Sequence, residues 1–506
     1  MARAERRVDR VKGQRRLAEI ETIGEIIGAG IGIPKRGKTE ILLHARKGQF
    51  VTQNFDLDWR GYSYGIQPAV DHFAAARALD VAGIDIYHPT QDHLTGAEIA
   101  FGGDLARSMR RGQNYLVIET EAQGFPEWTP YPGQLRLQAF SHLASGAQMV
   151  EYWHWGTTAN AVETYWRGLL SQDFKPNPTY DEAGSIGKDL ARLGPQLANM
   201  RKSNRIAIYV SNRALTAFNS FKFGWTSTTT YNDVLRPFYD ALYRMNAEVD
   251  FVDPSTTDLS DYKLILVPAL YAASDAEIER LNAFAKAGGH LLYTFKSGFS
   301  DENVRVRSTT QPGLIAEAAG VHYNQFTIPA GVTLENDPYH VGAADNIAHW
   351  WMELLTPTTA TIVARYHHPV WGKYAAIVRN NYGKGEVTYV GFMVRKQRSA
   401  GKFQIGGNAS VALKIPLQTQ RIETDAVSSV CRLEDKKYWN SIDRVFKTAT
   451  QKSREMQVGE DPSVAQSGVE NSCVATSAAD GMPAASPDLD FAAALVRGGL
   501  AGAELR

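Results

Sequence analysis

The sequence is short of cysteine, of net charge and of long apolar runs, and each shortage excludes something. Its two cysteines, Cys431 and Cys473, both fall in a compositionally distinct C-terminal region. A disulfide framework or a cysteine-based metal centre for the main body is therefore excluded, and no metal or cofactor is expected. Lys plus Arg number 54 and Asp plus Glu number 54, so no overall field draws the chain to nucleic acid or an anionic membrane. No apolar run reaches the length of a membrane span. The basic start of the chain lacks the apolar stretch that follows it in a secretion signal, and the expected location is the cytoplasm. What remains over 506 residues is globular in composition, with material for roughly two to four domains.

The chain is organised around Tyr115-Leu-Val-Ile-Glu119-Thr-Glu121, followed after a short loop by Pro126-Glu127-Trp128. An apolar run of strand length ends abruptly on a carboxylate, and parallel α/β enzymes display catalytic groups at the C-terminal ends of their strands. About one helix later comes Met149-Val-Glu-Tyr-Trp-His-Trp155, and beyond it Glu163-Thr-Tyr-Trp166. Carboxylates among tryptophans suit a sugar: aromatic faces stack on the C–H face of a pyranose, and carboxylates bind hydroxyls or attack the anomeric carbon. Two buried strands with ordinary polar ends would give the same pattern. Glu121 is the nearest competitor of Glu119, and the following Ala-Gln-Gly argues that the strand stops before the two share a face.

Residues 1–47 form an atypical N-terminal segment, basic at its start. It contains Gly32-Ile-Pro-Lys-Arg-Gly37-Lys38-Thr39, which satisfies the phosphate-cradling G-x-x-x-x-G-K-[ST] pattern. The Gly-rich stretch before it is a poor central strand, and the segment after it offers barely two helical turns. From residue 48 to about 200, periodicity gives strands at 50–55, 81–89, 115–119 and 149–155. Helices are expected at 67–80, 98–111, 134–144 and 181–197. This alternation implies right-handed crossovers and a parallel sheet, either half of an eight-fold barrel or an open sheet. A second unit spans 203–393, with strands at 205–211, 249–252, 263–267, 290–295 and 385–391 and helices at 231–245 and 275–287. It reads as a doubly wound, flavodoxin-like sheet of the class I amidotransferase-like kind. It has neither a Gly-rich loop after its first strand nor a cysteine nucleophile, which favours an assembly role. Residues 396–506 lack sustained periodicity and read as an atypical, disordered tail.

Residues from about 49 to 393 resemble the β-galactosidases of glycoside hydrolase family 42. The likeness runs in order through Phe50-Val-Thr-Gln-Asn-Phe55, Trp59-Arg-Gly-Tyr-Ser-Tyr-Gly65, Asp85-Ile-Tyr-His-Pro89, Tyr115-Leu-Val-Ile-Glu119, Glu151-Tyr-Trp-His-Trp155 and Glu163-Thr-Tyr-Trp166. In the second unit Pro268-Ala-Leu-Tyr-Ala272, Gly288-Gly-His-Leu291 and Trp351-Met-Glu-Leu-Leu-Thr-Pro357 match as well. The resemblance implies the C-terminal half of a (β/α)₈ TIM-type barrel, followed by the family's trimer-forming domain. It implies retaining hydrolysis of terminal non-reducing β-D-galactose residues, with a β-galactoside as partner and a homotrimer as assembly. It makes Glu119 the nucleophile and places Trp128, Glu163 and Trp166 at the substrate, Trp166 standing where better-known members have a histidine. The family's acid/base glutamate follows an asparagine after the fourth strand, and no Asn-Glu pair occurs in residues 1–47, so the acid/base is unassigned. The expectation is a truncated and impaired β-galactosidase, its ends out of frame. A non-catalytic assembly or carbohydrate-binding remnant and a P-loop nucleotide-binding protein are the alternatives.

Overall fold

The computed structural model describes residues 50–404, except 61–62, 125–127, 223–226, 339–341, 343–345, 394–396 and 400–401. The motif at 32–39, the rest of residues 1–47, both cysteines and nearly all of the expected tail lie outside the described residues. Two compact units part between Lys202 and Ser203.

In the first unit a short hairpin of β2 (Asp58–Trp59) and β3 (Tyr64–Gly65) follows β1 (Asn54–Phe55). The later strands are β4 (Gly83–Asp85), β5 (Tyr115–Glu121) and β6 (Ala147–Trp153). β1, β4, β5 and β6 make one wholly parallel sheet in that order. The spatial order repeats the chain order without reversal. A doubly wound sheet would reverse at a switch point, whereas barrel walls run sequentially. The unit is part of a (β/α)₈ barrel.

Its helices are α1 (His72–Ala76), α2 (Gly96–Met109), α3 (Gln134–Ala144) and α4 (Pro178–Leu197). α3 buries Leu135, Ala139, Phe140 and Leu143, the stripe expected of helical spacing. α4 starts where the Asn177 side chain accepts the Thr179 and Tyr180 N–H groups, with Pro178 preset at the first position. Its Leu193 and Leu197 pack on Phe140 and Leu143. α2 is buried nearly all round, and Gly103 makes that approach possible: a Cβ there would lie 2.5 Å from the Tyr115 hydroxyl and 2.6 Å from Ser145 Cβ.

Of the boundaries that differ from expectation, three change what lies near the strand ends. The helix expected at 67–80 is only α1, because the Asp71 carboxylate caps Ala74 N–H and fixes the start at His72. At its other end Asp80 is tied to Val51, its carboxylate accepting the Val51 N–H, which turns the chain away from the helix axis. β6 stops at Trp153, not Trp155. β5 continues to Glu121 despite the following Ala-Gln-Gly, because Thr120 and Glu121 still pair with Tyr152 and Trp153 of β6.

The second unit is built on β7 (Ile206–Tyr209), β8 (Asp250–Val252), β9 (Leu264–Val267) and β10 (His290–Thr294). Short strands β11 (Val321–His322), β12 (Phe326–Thr327) and β13 (Thr333–Leu334) follow, then β14 (His349–Glu353), β15 (Thr356–Pro357) and β16 (Thr361–His367). β17 (Ala375–Tyr382), β18 (Gly385–Val390) and β19 (Phe392–Met393) complete it. The parallel core runs β8-β7-β9-β10-β18, the flavodoxin-like 2-1-3-4-5 order, and β17, β16 and β13 extend it antiparallel. β7, β9 and β10 are buried at every residue, as strands covered on both faces must be. Helices α5 (Asn212–Ser220), α6 (Tyr231–Arg244) and α7 (Asp275–Ala287) flank the sheet. α5 went unread in the sequence; the Ser211 hydroxyl caps its Ala214 N–H at 3.3 Å.

Candidate active site

The C-terminal ends of β1, β4 and β5 lie side by side, and their last polar residues meet there. In register, Asp85 of β4 is the partner of Glu119 of β5. The Tyr87 hydroxyl, just past β4, donates to Glu119 Oε2 at 2.8 Å. Asn54 of β1 donates through Nδ2 to Asp85 Oδ2 at 3.2 Å and, more weakly, to Glu119 Oε1 at 3.5 Å. Glu119 is thus oriented at both oxygens while its side chain stays only partly buried. Burial, followed by the hydrogen bond to Glu119 and that carboxylate's charge, drives the Tyr87 hydroxyl far above its ordinary value, so it acts only as a donor.

Aromatic rings gather on Tyr87, the residue whose hydroxyl donates to this carboxylate. Trp59, on the β2–β3 hairpin, stacks parallel to Trp128 with centroids 6.1 Å apart and lies 5.8 Å from Tyr87. Trp166 sets its edge against Tyr87 at 5.0 Å and against Trp128 at 6.4 Å, and its indole N–H donates to the Trp153 carbonyl. Trp59 is 44% exposed, whereas Trp128 and Trp166 are buried. The Trp128 indole N–H is itself buried and has no hydrogen-bond partner among the described residues. A half-open aromatic box with an unused donor offers a flat ligand both a stacking face and a hydrogen bond.

Glu119, Trp128 and Trp166 are therefore brought together. Glu163 is not in that contact set: it sits exposed in a turn three residues before Trp166, and its carbonyl accepts the Trp166 N–H. Glu121 is fully buried and takes a different part. Its Oε1 lies 2.8 Å from His88 Nδ1 and its Oε2 accepts the His88 N–H at 3.2 Å. The strand continues, yet shifts in the β5–β6 register around Val117 break the two-residue alternation. Glu121 is a core group fixing the segment after β4, and Glu119 is the one of the two that Tyr87 links to the box. Asn54, Tyr87 and Asp85 were not singled out from the sequence. All three lie in the motifs that carried the resemblance, at strand ends, which is the signal that would have found them.

No group of three or more His, Cys, Asp or Glu among the described residues is placed to hold a metal ion, and no helix there is long and apolar enough to cross a membrane.

Comparison with known proteins gives this geometry a context. A family model described as beta-galactosidase matches residues 35–193, and one described as beta-galactosidase trimerisation domain matches residues 204–403. Beta-galactosidase BgaB of Geobacillus sp. is 28% identical over 330 residues, covering 64% of this chain and 48% of its own length. Beta-galactosidase BgaA of Clostridium cellulovorans is 26% identical, covering 63% of this chain and 49% of its own. The chain spans about half the length of the curated relatives it matches. Among solved structures, the β-galactosidase of Halorubrum lacusprofundi superposes with a TM-score of 0.65 at 23% identity, over 80% of this chain and 59% of that one. A family 42 β-galactosidase of G. stearothermophilus gives 0.63 at 20% identity, over 73% and 53%. These superpositions show a shared fold. Two consecutive domain matches of one family, in order and across both described units, place this partial chain in the β-galactosidases of glycoside hydrolase family 42.

Proposed function

We propose that the chain is a β-galactosidase-like glycoside hydrolase acting with retention on terminal non-reducing β-D-galactosyl residues, with Glu119 as nucleophile. The observation that carries this reading is the Glu119 carboxylate, held by Tyr87 and Asn54 at a strand end beside the box of Trp59, Trp128 and Trp166. Trp128 supplies a stacking face and an indole N–H for a sugar hydroxyl, Trp166 closes the wall, and the exposed Glu163 is available to bind hydroxyls. In a retaining step Glu119 attacks the anomeric carbon, the bond to the leaving oxygen breaks, and a second carboxyl about 5 to 5.5 Å away supplies the proton to that oxygen. That acid is unassigned among the described residues.

A fluorinated galactoside with a dinitrophenolate leaving group tests the nucleophile, because such a group departs without protonation and the covalent adduct persists. Peptide mass spectrometry should find the adduct on Glu119 and none in Glu119→Gln. An adduct on Glu121, or none at all, would remove the assignment.

The trimerisation-domain match supports a second part of the reading, a homotrimer formed through the second unit. Sedimentation should return three times the chain mass, and a monomer at micromolar concentration would remove it.

A further inference from the structure

A nucleophile and its sugar contacts do not account for Asp85. It is the register partner of Glu119, and one amide joins them, Asn54 Nδ2 lying 3.2 Å from Asp85 Oδ2 and 3.5 Å from Glu119 Oε1. The two carboxyl oxygens are no further apart than those two contacts laid end to end. The other oxygen, Asp85 Oδ1, is buried and has no hydrogen-bond partner among the described residues. Its surroundings are acidic or neutral. Glu119 faces it from β5, Asp56 from the segment after β1 and Tyr87 from just past its own strand, with Glu121 and Glu98 beyond them around Tyr87 and Tyr64. Neither Lys nor Arg is among the groups acting on it.

We propose that Asp85 is a positioning residue that acts through Glu119, holding a proton beside the nucleophile and, on losing it, raising the nucleophile's reactivity. The proposal rests on the reading of Glu119 given above. Burial and then the charge of Glu119 lift the Asp85 carboxyl to about 7, against the pull of the Asn54 amide and with a smaller push from Asp56. Below that pH Asp85 keeps its proton and the amide is shared between the two carboxyls. Above it the proton passes to solvent and the amide is drawn to Asp85, the nearer oxygen. Glu119 is then left with one hydrogen bond fewer, and the oxygen released from the amide is freer to attack. The second negative charge also favours the positive charge that develops at the anomeric carbon during attack. Asn at this position has the same shape and cannot ionise.

Two measurements on the full chain test this, one of which needs no sugar. Trapping by the fluorinated dinitrophenyl galactoside should accelerate roughly tenfold as pH rises through about 7, the size of one pK unit of coupling. Asp85→Asn should trap at a rate that stays flat across the same range. Carbon-13 NMR of labelled aspartate carboxyls, assigned with Asp85→Asn, should show Asp85 titrating near neutrality and moving to lower pH in Glu119→Gln. An acceleration that persists in Asp85→Asn, or a titration unmoved by Glu119→Gln, overturns the proposal. If no variant is trapped at any pH, the sugar reading fails separately, and a titration that moves in Glu119→Gln still supports the coupled pair.

Discussion

Lactose should not be hydrolysed measurably by the purified 506-residue chain, and a nitrophenyl galactoside should give at most a trace of turnover, abolished by Glu119→Gln. The expectation follows from what the site holds and what is not assigned to it. Glu119 is oriented at both oxygens by Tyr87 and Asn54, with Trp59 and Trp166 packed on Tyr87, and on the reading proposed above it is the attacking half of a retaining site. General acid catalysis supplies about 10² to 10⁴ in rate, and an alkoxide leaving group depends on it far more than a nitrophenolate does. Positioning weighs as heavily, since displacing a reacting group by about an ångström costs on the order of 100-fold. Aryl substrates should therefore retain what activity there is. Hydrolysis assays on mass-verified protein decide the matter: robust lactose turnover would mean that a carboxyl outside the described residues serves as acid.

Replacing Glu353 by Leu should destabilise the second unit by about 3–5 kcal/mol, an effect as large as a single substitution usually produces. Glu353 is wholly inaccessible to solvent. Its carboxylate accepts the Lys296 backbone N–H at 2.8 Å, the Tyr389 hydroxyl at 2.9 Å and the Trp351 indole N–H at 3.2 Å. These come from the end of β10, from β18 and from β14 itself, so one side chain joins three strands. Burial raises its carboxyl to about 7, with those donors opposing the rise. Leucine takes the shared acceptor from all three donors at once. Glutamine keeps one carbonyl oxygen and should cost only about 1–2 kcal/mol. Denaturant unfolding followed by tryptophan fluorescence distinguishes the two, and a Leu variant within about 1 kcal/mol of the parent would refute the role given to this carboxylate.

Much of the fold could be read from the residues because some segments carry signals that tertiary context does not override. α3 follows a clean 3.6-residue stripe, β9 is a pure apolar run, and α7 ends on Gly288 as expected. Glu119 stood out as the carboxylate ending an apolar run, although β5 itself continues to Glu121. What escaped is what depends on register. The fate of Glu121 turns on β-sheet irregularities that leave no mark on composition, and the assembly of Asn54, Asp85 and Tyr87 around Glu119 exists only once β1, β4 and β5 are aligned. α1 was overestimated because alternating Ala, Phe and Val suit a helix, whereas the Asp71 cap and the Asp80–Val51 tie decide its ends. The antiparallel extension of the second sheet escaped because bulged β16 alternates irregularly.

The sequential strand order of the first unit also bears on how the chain folds as it is synthesised. Asn54 pairs with Gly83, Ile84 with Val117 and Tyr115 with Ala147, so each new strand closes a loop of about 30 residues onto its predecessor. Closures of equal and modest length let the sheet grow one strand at a time from the ribosome, each step adding one more residue to the same rim. The second unit has no such path. His290 of β10 waits for Glu386 of β18, nearly a hundred residues later, before the parallel core is complete. The rim that carries Glu119 can therefore be assembled once Trp166 has emerged, while the sheet of the second unit is still being made.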